Sequence, residues 1–429
     1  MGTGVMIGAG IFALTGQIAG LAGPWFPLSF IAGAVVSGFS AYTYIKMSNR
    51  WPSSGGIAMI LTKAYGPGAV AAAASLLMAL SMVINESLVA RTFATYALRP
   101  FDIEGGPLVP IISVALILFA YLVNVSGNRS VGFLSILMSG LKIGGIALFG
   151  IAALWASGGL DGTRTDPMTF EPLGFIGSVA LSILAFKGFT TITNSGGEIT
   201  DPNRNVGRTI MISIVICALT YLLVSLAVGS SLSPDQIQNA RDYALAEAAE
   251  PVLGRTGFYF TVALAMVATA SGLIASVFAV SRMLTMLTDM KMIPHSHFGM
   301  SGSIRSHMLV YTVVIAGALA VVFDLSRIAS LGAFFYLVMD MAVHWGVWRT
   351  LRSEIGAQGW VLLTALAFDA VVLVAFGALK WQSDPMILLY AALGILCTFA
   401  YERFYLGQWF AEQQNADRRH NRHHKGQKG

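Results

Sequence analysis

Apolar positions run along this chain in blocks of roughly 20 residues or more, long enough for a helix to cross the hydrocarbon core of a bilayer. Short polar and turn-rich stretches divide them. The pattern predicts about twelve spans, at approximately 2–22, 25–46, 68–97, 108–124, 131–156, 174–198, 207–230, 257–288, 308–323, 326–348, 359–379 and 384–404. The first and sixth blocks are crowded with glycine. GVMIGAGIF over 4–12 holds Gly4, Gly8 and Gly10, and SILAFKGFTTITNSGGEI holds Gly188, Gly196 and Gly197. Glycine leaves a helix interior loose and uncovered. An opened helix within lipid exposes N–H and C=O groups that lipid cannot satisfy, so a gap is tolerated only where it lines a cavity or a ligand. The two interrupted blocks lie five spans apart, which is the sequence sign of an inverted-repeat transporter. The expected organisation is a first repeat at 1–157 (spans one to five) and a second at 158–350 (spans six to ten). Two appended spans at 351–404 and a basic cytoplasmic tail at 405–429 complete it. No repeat is visible as sequence identity.

Two connecting segments look structured. Trp51–Gly68 places turn residues around a short apolar piece, as a re-entrant or interfacial helix would. Leu232–Gly254 opens with Ser233-Pro234 and predicts one amphipathic outer helix capped by Ser233, either a lid or an ordinary surface helix.

Composition agrees with the pattern. The 429 residues are 55% hydrophobic and 11% charged, against about 25% charged in soluble proteins. Mean hydropathy is +0.70. This is the composition of an all-α polytopic membrane protein in contact with the lipid bilayer. Cys217 and Cys397 each lie in an apolar run and are expected as core fillers, with no disulfide framework and no metal site. No basic segment precedes the first span, so no cleavable signal peptide is expected. No cofactor and no nucleic-acid partner are expected, and the oligomeric state is open. Charge placement sets the orientation. With the N-terminus inside, inner segments and the tail hold seventeen Lys and Arg, including Lys46, Arg50, Lys63, Arg204 and Arg208. Outer segments hold six: Arg99, Arg164, Arg241, Arg255, Arg327 and Lys380. The positive-inside rule then places both termini in the cytoplasm. The tail, RRHNRHHKGQKG, reads as a solvated end, with anionic-lipid contact as the functional alternative.

The first break carries candidate chemistry. If 2–7 and 11–22 are half-helices, the amides of Gly8, Ala9 and Gly10 begin the second one and favour an anion. The carbonyls near Met6 and Ile7 end the first and favour a cation. A zwitterionic α-amino acid presents both charges at about that spacing. The competing reading is close helix packing through Gly4 and Gly8 in an unbroken helix; the matching break in span six favours a site. There the expected unwound piece is Phe186-Lys187-Gly188-Phe189, whose carbonyls suit an ammonium, with Phe186 as a gate or a core filler. Lys187 either snorkels or faces the cavity. Lys142 sits near mid-span five, far from either interface, and an intramembrane ionisable residue is functional by default. A lysine alternating between charged and neutral states can couple protons to transport. Alternatively it is held by backbone carbonyls and hydroxyls, with Ser271 and Ser276 of span eight as candidates. Glu86 and Arg91 are candidates to pair near the outer vestibule, although five residues apart they do not share one helix face well. Asp340 and His344, four apart, share a helix face, and with Asp369 they read as structural partners or a proton path.

Four stretches together resemble the amino acid–polyamine–organocation (APC) superfamily, in its bacterial amino-acid permease branch. They are GVMIGAGIF at 4–12, RWPSSGGIAMILTKAYGPG at 50–68, FKGFTTITNSGGEITDPNRNVGR at 186–208 and SRMLTMLTDMKMIP at 281–294. They stand in the expected order over nearly the whole chain. The resemblance implies a LeuT-type fold of five-plus-five inverted repeats with two further helices. It implies secondary transport by alternating access, with the GAG amides on the substrate carboxylate and span-six carbonyls on the ammonium. Lys142 matches a span-five lysine that in some such carriers stands where sodium-coupled relatives hold a cation. The chain departs from the pattern in four places. Met1 stands almost at the break, as though the start were shortened or mis-set. Ala9 replaces a frequent hydroxyl residue, Lys46 a frequent glutamate, and Thr190 a frequent acid. The expected activity is amino-acid transport across the cytoplasmic membrane by proton symport, with exchange as a variant. A polyamine or cationic amino-acid exchanger is the alternative, with Glu86 as the acid for a distal amine. A membrane-embedded enzyme would need an HExxH pair, a Ser–His arrangement or paired intramembrane acids, and a nucleotide site would need a GxxxxGK loop; the sequence offers none.

Overall fold

The computed structural model describes residues 2–53, 56–103, 105–126, 128–158, 170–194, 196–290, 292–293 and 303–404, with no side chains described at 2–5, 9, 128–139 and 198. The long elements are α1 (Gly2–Ala22), α2 (Phe26–Arg50), α3 (Gly56–Tyr65), α4 (Ala69–Leu98), α5 (Leu108–Val125), α6 (Asn128–Ala156) and α7 (Pro172–Phe186). They continue with α8 (Phe189–Asn194), α9 (Pro202–Ser231), α10 (Pro234–Asn239), α11 (Ala244–Asp289), α12 (Ile304–Val322), α13 (Leu325–Gly346) and α14 (Gly359–Ser383). Pro385–Phe404 forms a last helix, α15. Among the described residues there is no strand.

Ten described helical stretches are long and apolar enough to cross a membrane. α1 and α2 run on as one of these stretches, Gly10–Arg50, divided only by a 3-10 turn at Gly23–Trp25 where Pro24 removes a donor. α6, at 29 residues, also has the length to cross. The expected short helix between spans two and three is α3. The expected amphipathic helix at Leu232–Gly254 is instead two pieces. Ser233 and Gln236 form a reciprocal capping box that starts α10. The chain then turns and re-enters a helix at Ala244, and α11 breaks at Gly254 (φ 65°, ψ −169°), just after Pro251. Only glycine adopts that backbone without strain.

α1 stands at the centre of the bundle and packs against α4, α6, α7, α9 and α11. α2 lies against α7 and α9, α4 against α11 and α13, and α14 against α7 and α13. One continuous apolar core joins nearly all of them. The outward faces are apolar as well: Leu122 is 61% exposed, Val374 71% and Leu396 65%. Side chains of that kind face lipid in a polytopic protein; on a water-soluble one they would form a sticky patch.

Small residues set the closest approach. A Cβ on Gly33 of α2 would lie 2.5 Å from the Cβ of Ser182 on α7 and 3.2 Å from its backbone carbon. Nearby, Ser178 donates to Ser29 across the same seam at 2.7 Å. Gly33→Val should push α2 from α7 and destabilise the fold by about 1–3 kcal/mol. A melting temperature in detergent equal to that of wild type would show that the seam tolerates a side chain.

Candidate functional site

The two glycine-rich breaks exist and touch. α1 leaves helical geometry at Ile7 (φ −80°, ψ 64°), and α7 ends at Phe186 while α8 begins at Phe189. A Cβ on Gly188 would fall 2.5 Å from Met6 Cγ and 3.0 Å from Met6 N. A side chain at 188 would therefore separate the two interruptions. Ile7, Phe186 and Phe189 are buried around this contact.

The exposed backbone is satisfied by a residue that sequence reasoning missed. Tyr221 of α9 donates its hydroxyl to the Met6 carbonyl at 2.6 Å and also lies 3.2 Å from the Ala185 carbonyl. Its ring packs on Phe186 (5.0 Å between centroids) and Phe30 (5.4 Å). The sequence signal was a tyrosine inside an otherwise apolar run, since a buried phenol seeks a partner. On the other break, the Lys187 carbonyl accepts from the Thr190 amide (3.0 Å) and hydroxyl (2.7 Å), and the Gly188 carbonyl from the Thr191 amide (3.1 Å). The carbonyls of Met6, Lys187 and Gly188, expected to await a cation, thus each have an internal donor, and that of Lys187 has two. Phe186 packs against Tyr221 and does not line the adjoining cavity.

That cavity is bounded by Gly10, Met82, Asn85, Leu184, Ala185, Lys187, Gly188, Thr190, Thr191 and Ser276, and measures about 20 Å³. This is room for about one water molecule. The cavity is nearly filled by its own walls.

Three ionisable side chains surround the breaks. Lys187 is 5% exposed; its ammonium donates to the Ser81 carbonyl (2.9 Å) and hydroxyl (3.0 Å). Of the two expected orientations it therefore takes the buried one, at the cavity wall. Lys142 is 2% exposed. Its Nζ lies 3.7 Å from the position of a Cβ on Gly8, where the Ala268 carbonyl oxygen is 2.9 Å away. Lys142 of α6 thus reaches the first break between α1 and α11. Glu86 of α4 is fully buried and accepts from Ser276 at 3.2 Å. The candidate Glu86–Arg91 pair does not form: Arg91 donates to the Ala320 carbonyl at 2.7 Å. Five residues apart, the two point from different helix faces. Of the two serines expected near Lys142, Ser271 donates to the carbonyls of Val267 (2.8 Å) and Ala268 (3.2 Å), and Ser276 belongs to Glu86. The side chain of Ala9 lies outside the described residues.

Farther along α1, Gln17 donates to Asp242 at 2.6 Å, and Gly20 abuts Gln238 of α10. α10 therefore rests on the second half of α1, beyond the break. Between α14 and α15, the Arg327 guanidinium bonds Asp384 at 2.7 Å and holds its carboxyl below the usual range.

A helical bundle that exposes apolar faces outward and carries many helices long enough to cross a bilayer is a multi-pass membrane protein. Sequence relatives define it further. A profile of the amino acid permease family matches residues 1–400. The chain is 29% identical to the inner membrane transport protein YbaT of Escherichia coli over 398 residues, covering 91% of this chain and 90% of the relative. It is 25% identical to the branched-chain amino acid permease BcaP of Lactococcus lactis over 443 residues, covering 94% and 92%. A vacuolar cationic amino acid transporter 2 of Arabidopsis thaliana is 27% identical over 256 residues, covering 53% of this chain and 39% of the relative. This chain belongs to the amino acid permease family.

Tyr221→Phe removes the hydroxyl that serves the Met6 carbonyl and leaves a buried acceptor unpaired, a loss of about 1–3 kcal/mol. The variant should melt below wild type in detergent. Unchanged melting would mean that the α1 break closes without that hydrogen bond.

Proposed function

We propose that this permease is a secondary active transporter of amino acids across the cytoplasmic membrane, working by alternating access and coupled to protons. The observation that carries the reading is the contact of the two helix breaks at Met6 and Gly188, beside the cavity that Lys187 helps to wall. In this reading spans one to five and six to ten are inverted repeats, α14 and α15 are appended, and both termini are cytoplasmic. The amides at Gly8, Ala9 and Gly10 start the second half of α1, where the helix dipole favours the substrate carboxylate. The spare lone pairs around Phe186–Gly188 take the ammonium. Opening requires α1 to part from α7 and α8, which frees the space that Gly188 and Met6 now fill.

In this reading Lys142 couples transport to protons. Its Nζ lies against Gly8, so a charged amine strengthens the field on a carboxylate bound to the amide cradle, and a neutral amine releases it. Proton and substrate then favour one another, as linkage requires. Lys187 at the cavity wall favours substrates without a second positive charge. A cationic amino-acid or polyamine exchanger is the second reading, supported by Glu86. Its Oε2 has no hydrogen-bond partner, and its partner Ser276 lines the same cavity.

Uptake of a labelled amino-acid panel into proteoliposomes separates the readings. Neutral or acidic amino acids should accumulate several-fold more with an inward proton gradient, and Lys142→Ala should lose that stimulation. Uptake indifferent to the gradient in wild type, with Lys142→Ala equally active, would remove the coupling. Exchange confined to lysine, arginine or polyamines would favour the second reading. Gly8→Leu or Gly10→Leu should abolish substrate binding in protein that still elutes as a folded species. Normal affinity in either would place the substrate elsewhere.

A further inference from the structure

Asp340 and His344 lie one turn apart on α13, and Asp369 meets them from α14. All three side chains are fully buried. His344 Nε2 is 3.5 Å from Asp340 Oδ2 and 3.6 Å from Asp369 Oδ2. One donor atom from each residue lies within 4.8 Å of the others. These separations are too long for hydrogen bonds. They are close to the roughly 3.4 Å between donors that each stand about 2.1 Å from a tetrahedral ion.

The surroundings are arranged around the same point. Ser40 donates to Asp340 Oδ2 at 2.7 Å, and Tyr44 donates to Oδ1. His344 Nδ1 is engaged by the Thr43 hydroxyl at 2.8 Å, which turns Nε2 toward the carboxylates. With Nδ1–H donating to Thr43, Nε2 presents a lone pair. Such supporting hydrogen bonds on imidazole and carboxylate are the usual outer shell of a metal site. Among the described residues, neither oxygen of Asp369 nor Nε2 of His344 has a hydrogen-bond partner. A buried carboxylate without donors is costly. Two carboxylates and a neutral imidazole sum to two negative charges, which one divalent cation cancels.

We propose that Asp340, His344 and Asp369 bind one divalent first-row transition cation of the zinc class. Mixed imidazole and carboxylate donors without sulfur suit that class. The second oxygen of Asp369 is free to fill a fourth position. The ion ties α14 to α13 and, through Ser40, Thr43 and Tyr44, to α2. The Tyr44 ring packs edge-on against Phe189 at 5.4 Å, so the clamp also supports the start of α8. It is separate from the cavity at the breaks and does not rest on the transport reading.

The test uses untagged full-length protein in detergent, loaded with excess Zn²⁺ and dialysed against a weak chelator that strips the histidine-bearing tail. Elemental analysis should find one equivalent more zinc in wild type than in Asp369→Asn or His344→Gln, which keep the tail. Loading with Co²⁺ should give the intense visible bands of a tetrahedral site in wild type. Thr43→Val, which removes no ligand, should bind about 10–100-fold more weakly. Zinc retention no higher in wild type than in the variants overturns the proposal. If a ligand variant does not fold, loaded wild type lacking the tetrahedral Co²⁺ spectrum overturns it equally. Either result assigns the balancing charge to protons.

Discussion

A peptide group opened within a lipid-enclosed bundle must find its hydrogen-bond partner in the protein, because the hydrocarbon offers none. Much of the described architecture around α1 answers that demand. The Met6 carbonyl, released where Ile7 leaves helical geometry, is met by Tyr221 of α9. The carbonyls of Lys187 and Gly188 are met by Thr190 and Thr191 in the first turn of α8. Each break is thus half-closed by a neighbour and keeps unused lone pairs. That is the condition under which an interrupted helix is stable and still able to bind.

Charge follows the same economy. Lys187 turns inward to Ser81 of α4, and the Glu86 carboxylate takes a hydroxyl from Ser276 of α11. The first contact joins the gap between α7 and α8 to α4; the second joins α4 to α11. Lys142 is placed differently: it meets the first break itself, at Gly8. This is why it, rather than Lys187, is assigned the proton in the proposed cycle.

Membership of the amino acid permease family and the closed cavity are mutually informative. The family match spans residues 1–400, and the proposed site lies where its glycine-rich stretches meet. A cavity of about 20 Å³ is smaller than any amino acid, so the proposed cycle requires it to widen. α10 lies along the second half of α1 through Gln238 and Gly20, and Gln17 is tied to Asp242. These contacts hold one end of α1 to the segment after α9.

What the sequence determined by itself was local. The spans follow from runs of apolar residues, the break near Ile7 and the gap after Phe186 from glycines within a few positions, and the α10 cap from Ser233 and Gln236. Each depends on neighbours along the chain. The expected single helix over 232–254 is instead divided by a turn at 240–243 between α10 and α11. Partner choice across the bundle was decided only by the tertiary structure. Tyr221 and Met6 are 215 positions apart, and Glu86 pairs with Ser276 rather than with nearby Arg91. Asp369 joins Asp340 and His344 only because α14 packs on α13. An apolar run specifies that a helix crosses the bilayer but leaves its rotation about its own axis undetermined. That rotation is set by small residues such as Gly33, Gly188 and Gly10, whose missing side chains let particular faces meet.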